Sequence, residues 1–189
     1  MRQNTKQLVG VGLLTAIVVV LQALAFSIRI GIFNITLVLV PIVVGAALYG
    51  AKVGAWLGFV FGVIVLFTDS ALFMAVSIPG TILTVLLKGC LAGLVAGAVY
   101  NLLEKVNRYV AVIAAAIACP VVNTGIFLLG CVVFFMDTIN GWAMDAGYEN
   151  AGKYLIFGMV GGNFLVEMAI NIVLSTAIVR IINYSKSGR

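Results

Sequence analysis

Histidine is absent from the 189-residue chain, and charged residues make up only 9% of it. The first absence removes Ser-His and Cys-His catalytic pairs, His-ligated zinc proteases and the commonest general base. The second removes a water-soluble fold. A soluble domain carries roughly a quarter of its residues as Asp, Glu, Lys and Arg, and a chain with so little charge cannot cover its own surface in water. Cysteine is scarce as well. Cys90, Cys119 and Cys131 each sit inside an apolar run without metal-ligand spacing, and read as small buried hydrophobes rather than metal or redox centres. There is no Walker-type phosphate loop. No apolar run holds the several acidic residues of an ion-coupled pump, and the two halves show no hydropathy repeat of the kind common in secondary transporters. The sequence therefore offers no catalytic constellation, cofactor motif or metal site, and a transporter built from it would need a partner for its energy.

What is present is apolar: 63% of the residues are hydrophobic, and mean hydropathy is +1.24. The fold class expected is an all-α integral membrane bundle, one domain with room for about six spans of roughly 20 residues. Hydropathy places them at about residues 7–26, 35–49, 53–67, 79–103, 109–135 and 153–182. The first run lacks a signal-peptide cleavage site and reads as a retained helix. Spans 2 and 3 are short, which predicts a tilted, broken or partly re-entrant segment. Residues 27–34 read as a short connection, 68–78 as a loop with at most a helical turn, and 136–152 as the most polar loop. The net charge of +5 is scattered between apolar runs and forms no stripe for nucleic acid. Its distribution instead sets orientation. Arg2, Lys6, Lys52, Lys105, Arg108, Arg180, Lys186 and Arg189 fall on one side, Arg29 and Lys153 on the other, and Lys88 within a span. By the positive-inside rule both termini are cytoplasmic.

Two patterns stand out inside the spans. Small residues recur every four positions: Gly12 and Ala16; Gly54, Gly58 and Gly62; Gly89, Gly93 and Gly97. Such spacing lets helix backbones approach closely where lipid offers no hydrophobic drive. The second pattern is polar. An ionisable group near the bilayer centre is costly and marks a candidate site, and Lys88 and Glu167 are the two such groups. Lys88 shares a helical face with Thr81 and Thr84, while Glu167 lies in the repeat Asn163, Glu167, Asn171 and Ser175. Span 5 adds Asn123 and Thr124. Lys88, Asn123 and Asn163 fall at a common depth of about 12–18 Å from the predicted outer ends, with Glu167 a turn deeper. Two readings stay open: a small-molecule pocket with an apolar wall and a few placed polar groups, or a Lys88–Glu167 ion pair with asparagines that join helices.

Along nearly its whole length the sequence resembles the substrate-binding S components of bacterial energy-coupling-factor vitamin transporters. The resemblance runs through Gly12-Leu13-Leu14-Thr15-Ala16, Asn34-Ile35-Thr36, Val40-Pro41-Ile42-Val43-Val44-Gly45, Leu48-Tyr49-Gly50 and the run Gly54, Gly58, Gly62. Gly12 stands where the first motif usually begins with Ala, and Ala51 where many members have Pro. The resemblance implies that spans 1–3 face a transmembrane coupling subunit, Gly12 and Ala16 at the contact, with two cytoplasmic ATPases driving that subunit. Spans 4–6, capped by the 1–2 and 3–4 loops, would hold a vitamin in a carrier of the bacterial cytoplasmic membrane that has no catalytic activity of its own. Cys119-Pro120-Val121-Val122-Asn123-Thr124-Gly125 and Gly161-Gly162-Asn163-Phe164-Leu165-Val166-Glu167 are most similar to pantothenate-type members. Lys88 or Arg29 would then neutralise a carboxylate, and Asn123 and Asn163 would bond amide and hydroxyl groups, with Thr84, Thr124, Glu167 and Asn171 nearby. The same groups would suit riboflavin, folate or another vitamin, and Phe127 and Phe164 could stack on a ring or simply face lipid or core. A stand-alone membrane facilitator is the reading from another class.

Overall fold

The computed structural model describes the backbone of residues 2–27, 29–30, 33–34 and 37–187, and the side chains of 5–25, 37–162, 164–174 and 177–179. Within these the chain is helical apart from one two-residue strand pair. Helix α1 (Arg2–Ser27) leads to strands β1 (Arg29–Ile30) and β2 (Phe33–Asn34), then α2 (Leu39–Tyr49), α3 (Ala51–Thr68), α4 (Ala71–Val76) and α5 (Ile78–Leu103). There follow α6 (Arg108–Phe134), α7 (Met136–Asp145), α8 (Ala151–Lys153), a π-helical segment (Tyr154–Val160) and α9 (Gly161–Ser187). Four helices are long and apolar enough to cross a bilayer: α1, α3, α5 and α6. The segments Ala151–Val160 and Phe164–Val179, bent by 41°, pass the same test together as a fifth candidate span. Large apolar side chains such as Leu13, Trp56, Leu129, Val133 and Phe157 cover the outside, a surface that suits lipid and not water.

Local chemistry sets the boundaries. Asn107 caps α6, its Oδ1 accepting from the backbone N–H of Tyr109 (2.8 Å) and Val110 (3.2 Å). Ser77 caps α5 by accepting from Gly80 N–H at 3.3 Å, with Pro79 in the first turn. Caps of this kind contribute about 1 kcal/mol each by pairing end donors that have no intrahelical partner. Between α2 and α3 the chain reverses at Gly50, whose φ of +96° favours a residue without a Cβ.

Four boundaries differ from the sequence expectation. Of the second span, expected over 35–49, the described helix is Leu39–Tyr49, and its 11 residues reach about 16 Å, half a bilayer core. Its faces are nevertheless buried, with Leu39, Ile42, Val43 and Ala46 in the core. Inside the expected connection 27–34, Arg29 pairs with Asn34 and Ile30 with Phe33 in an antiparallel ladder. The supposed polar loop 136–152 holds α7, which forms because Ile139 and Ala143, one turn apart, are buried. Finally, the sixth span is not a continuous helix from 153. A Cβ at Gly161 would collide with the Ile156 carbonyl oxygen, so the widened π turn exists where the sequence supplies glycine.

The packing centre is the α3–α5 pair, with α6 on the other side of α5 and α9 against α6. The glycine repeats explain that first contact. A side chain at Gly58 would strike the Gly89 carbonyl, one at Gly89 the Gly58 carbonyl, and one at Gly93 the Gly54 carbonyl. The two backbones thus touch directly, and these repeats serve packing within the chain.

Candidate ligand cavity

A cavity of about 200 Å³ opens between the C-terminal halves of α1, α3 and α6, the N-terminal part of α5, and the bent entry to α9. Its polar wall is made by Gln22, Asp69, Ser70, Lys88, Asn123, Thr124 and Glu167. Phe61, Val65 and Val85 supply part of the apolar wall. Phe73, Phe127 and Phe164 supply aromatic surface. Phe73 of α4 packs edge-on against Phe127 (centroids 5.7 Å apart), Phe135 (5.0 Å) and Trp142 (5.7 Å). Each such pair adds about 0.5–1.5 kcal/mol beyond burial, so α4 and α7 are fastened to α6 at the cavity.

Lys88 is the cation of this wall among the described residues. Its Nζ stands 5.1 Å over the Phe127 ring, a distance at which the ring quadrupole attracts a cation. Glu167 and Asp69 are the carboxylates whose charges act on it. Among the described residues, however, Lys88 has no carboxylate within 4 Å, whereas Lys153 and Glu149, exposed side chains four residues apart, form a close ion pair. The geometry therefore differs from a direct Lys88–Glu167 bridge: the ammonium is held at the cavity by longer-range attraction and a ring face. Asn123 is buried on α6, and its Oδ1 has no hydrogen-bond partner. Such an atom costs about 1–3 kcal/mol unless something supplies a donor.

The other expected residues fall in different places. Thr124 lines the cavity beside Asn123. Thr84 is buried but stands outside the wall, where its side chain fills the gap left by Gly130 on α6. Asn171 is buried one turn below Glu167, its Nδ2 donating to the Glu167 carbonyl at 2.9 Å. Arg29 lies in β1, and its side chain, like those of Asn163 and Ser175, is outside the described residues. Gly12 and Ala16 are exposed on α1, and a Cβ at Gly12 would meet nothing within 4 Å. Three polar residues of the wall escape the sequence reading: Gln22, Asp69 and Ser70, whose Oγ donates to the Val65 carbonyl at 3.0 Å. Gln22 sits in the apolar run of α1, and Asp69 closes α3. Gln22 Nε2 donates to Asp69 Oδ2 at 2.8 Å, and Thr68 Oγ1 donates to the same oxygen at 2.9 Å. The available signal was Gln22 itself, an uncharged polar residue amid apolar neighbours.

The family model described as "ECF transporter, substrate-specific component" matches residues 6–179. That stretch is most of the chain, which belongs to this family. Its members are substrate-binding subunits of membrane transporters, not enzymes, and they work with the subunits of an ECF module in the membrane. No curated protein and no solved structure matches the chain.

Proposed function

We propose that this member of the ECF substrate-specific family is the vitamin-binding S component of an importer in a bacterial cytoplasmic membrane, with pantothenate as its cargo. It has six spans, both termini cytoplasmic, in a single domain. Here α2 is a short second span and α8 to α9 a bent sixth. The observation that carries this function is the cavity around Lys88, an ammonium without a close carboxylate beside an unpartnered amide oxygen on Asn123. An anionic ligand bearing hydroxyl and amide groups answers both needs. Lys88 pairs with its carboxylate, and Asn123 and Thr124 bond its polar backbone. Glu167 shares the polar wall, and Asn171, bonded to the Glu167 carbonyl, holds it in register. Size supports the same cargo. A cavity of about 200 Å³ is smaller than the roughly 300–1,000 Å³ of pockets for drug-sized ligands, which favours a short acyclic vitamin over the fused rings of riboflavin or folate.

Delivery needs partners, because the sequence carries no Walker-type phosphate loop. The exposed small pair Gly12 and Ala16 gives a transmembrane coupling subunit a flat backbone surface to pack on, and two cytoplasmic ATPases drive that subunit. A binding screen of radiolabelled pantothenate, riboflavin and folate against the purified chain tests the cargo. Saturable binding of pantothenate alone is expected; a preference for either ring vitamin would replace it. Uptake into vesicles holding this chain and neither partner nor ATP would instead mark a stand-alone facilitator.

A further inference from the structure

Helix α1 is held to the bundle lightly. Between residues 5 and 25 only Val18 and Gln22, one turn apart, are buried. The rest of the contact comes from partly buried Leu14 and Leu21, the Tyr49 ring against Gly10, and an exposed hydrogen bond from Trp56 Nε1 to Thr15 Oγ1 at 3.3 Å. Gln22 alone reaches the cavity. It is 3% exposed and donates through Nε2 to Asp69. A carboxylate only accepts, so this contact fixes which end of the amide is which. The other end, Oε1, is buried without any partner. Asp69 in turn acts on Lys88. At 3.6 residues per turn, the Val18–Gln22 stripe lies roughly 120° around α1 from Gly12 and Ala16.

We infer that Gln22 is a ligand-contacting residue through which cavity occupancy is transmitted to α1. An N–H or O–H of the bound molecule supplies the donor that Oε1 lacks, while Nε2 keeps Asp69. The occupied cavity thereby fastens α1 at its Gln22 end and fixes the direction in which its Gly12–Ala16 face points. The ligand class is a small molecule with at least two hydrogen-bond donors, one for Gln22 and one for Asn123, plus an acceptor for Lys88. This rests on the cavity being the ligand site as proposed above.

Hydrogen exchange of α1 in purified full-length protein, with and without pantothenate, riboflavin or folate, tests it. In the wild type the vitamin that binds should slow exchange over residues 13–25 by about tenfold, the scale on which a fastened segment leaves local opening. Gln22→Met keeps length and loses both polar ends. It should exchange faster over that stretch without ligand, bind at least tenfold more weakly, and show no slowing at saturating ligand. Val18→Ala loosens α1 by packing alone, so it should exchange faster without ligand yet keep both the affinity and the ligand-induced slowing. Equal slowing in wild type and Gln22→Met overturns the inference, as does loss of slowing in both variants alike, which would make Gln22 merely structural. If the wild type binds none of the three vitamins, the proposed cargo fails instead. The ligand-free comparison then decides whether Gln22 fastens α1: unchanged exchange in Gln22→Met overturns the inference.

Discussion

One helix, α5, has two faces that obey opposite rules. On one side Gly89 and Gly93 meet the backbone of α3, where there is no room for a single added carbon. About 100° around the helix from Gly89, Lys88 borders open volume lined by groups from α1, α3, α4, α6, the π-helical segment and α9. The seam is full and apolar, and depends on the absence of side chains; the cavity is polar, and two of its wall oxygens, on Gln22 and Asn123, are unpartnered. Under the proposed function, the contrast would separate stability from binding within one small membrane chain. Backbone contact in the seam ties α3 to α5 without help from the neighbouring polar wall, which under the proposed function a ligand would complete.

The largest effect should come from breaking the seam. Gly58→Leu drives a branched side chain into the Gly89 carbonyl, a clash that only separation of α3 and α5 relieves. Overpacking against movable side chains costs about 1–3 kcal/mol, and here the obstacle is backbone. The variant should yield no monodisperse protein on size exclusion, and a folded, vitamin-binding Gly58→Leu would show that the seam is looser than described. Next comes the exposed face of α1. Gly12→Leu or Ala16→Leu should leave folding and vitamin binding intact and abolish co-purification with the coupling subunit; an unchanged complex places the docking surface elsewhere. The smallest effect should be at Gly125 on α6, where a Cβ meets nothing within 4 Å. Gly125→Ala should be neutral or raise thermal stability by up to about 1 kcal/mol, the usual helix gain of alanine over glycine. A strong loss there would mean that contact with a glycine's neighbours does not decide tolerance in this fold.

Sequence made the seam visible as spacing but could not tell intramolecular from intermolecular packing. The positions of Gly54, Gly58, Gly89 and Gly93 are equally suited to either, and only the facing of α3 to α5 decides. The cavity was legible in part for a physical reason: burying Lys88, Asn123 or Glu167 in an apolar run is costly enough to stand out. Thr84 shares the helical face of Lys88 yet is spent on the gap at Gly130, because a threonine is small and cheap enough for either use. Helix α7 was hidden by its composition, since Asp137, Asn140 and Asp145 read as loop while two buried residues suffice to pin the helix. The π turn was hidden in a different way. Nothing in the sequence around Gly161 marks a π turn, although a Cβ there would strike the Ile156 carbonyl oxygen.

The proposed role of Lys88 in receiving an anionic cargo is tested by one titration: pantothenate binding to purified wild type, Lys88→Ala and Lys186→Ala. Removing one partner of a desolvated charge pair costs about 3–5 kcal/mol. Affinity should therefore fall at least roughly 100-fold in Lys88→Ala and stay at the wild-type value in Lys186→Ala, with both variants folded. Equal affinity in all three proteins would contradict the account.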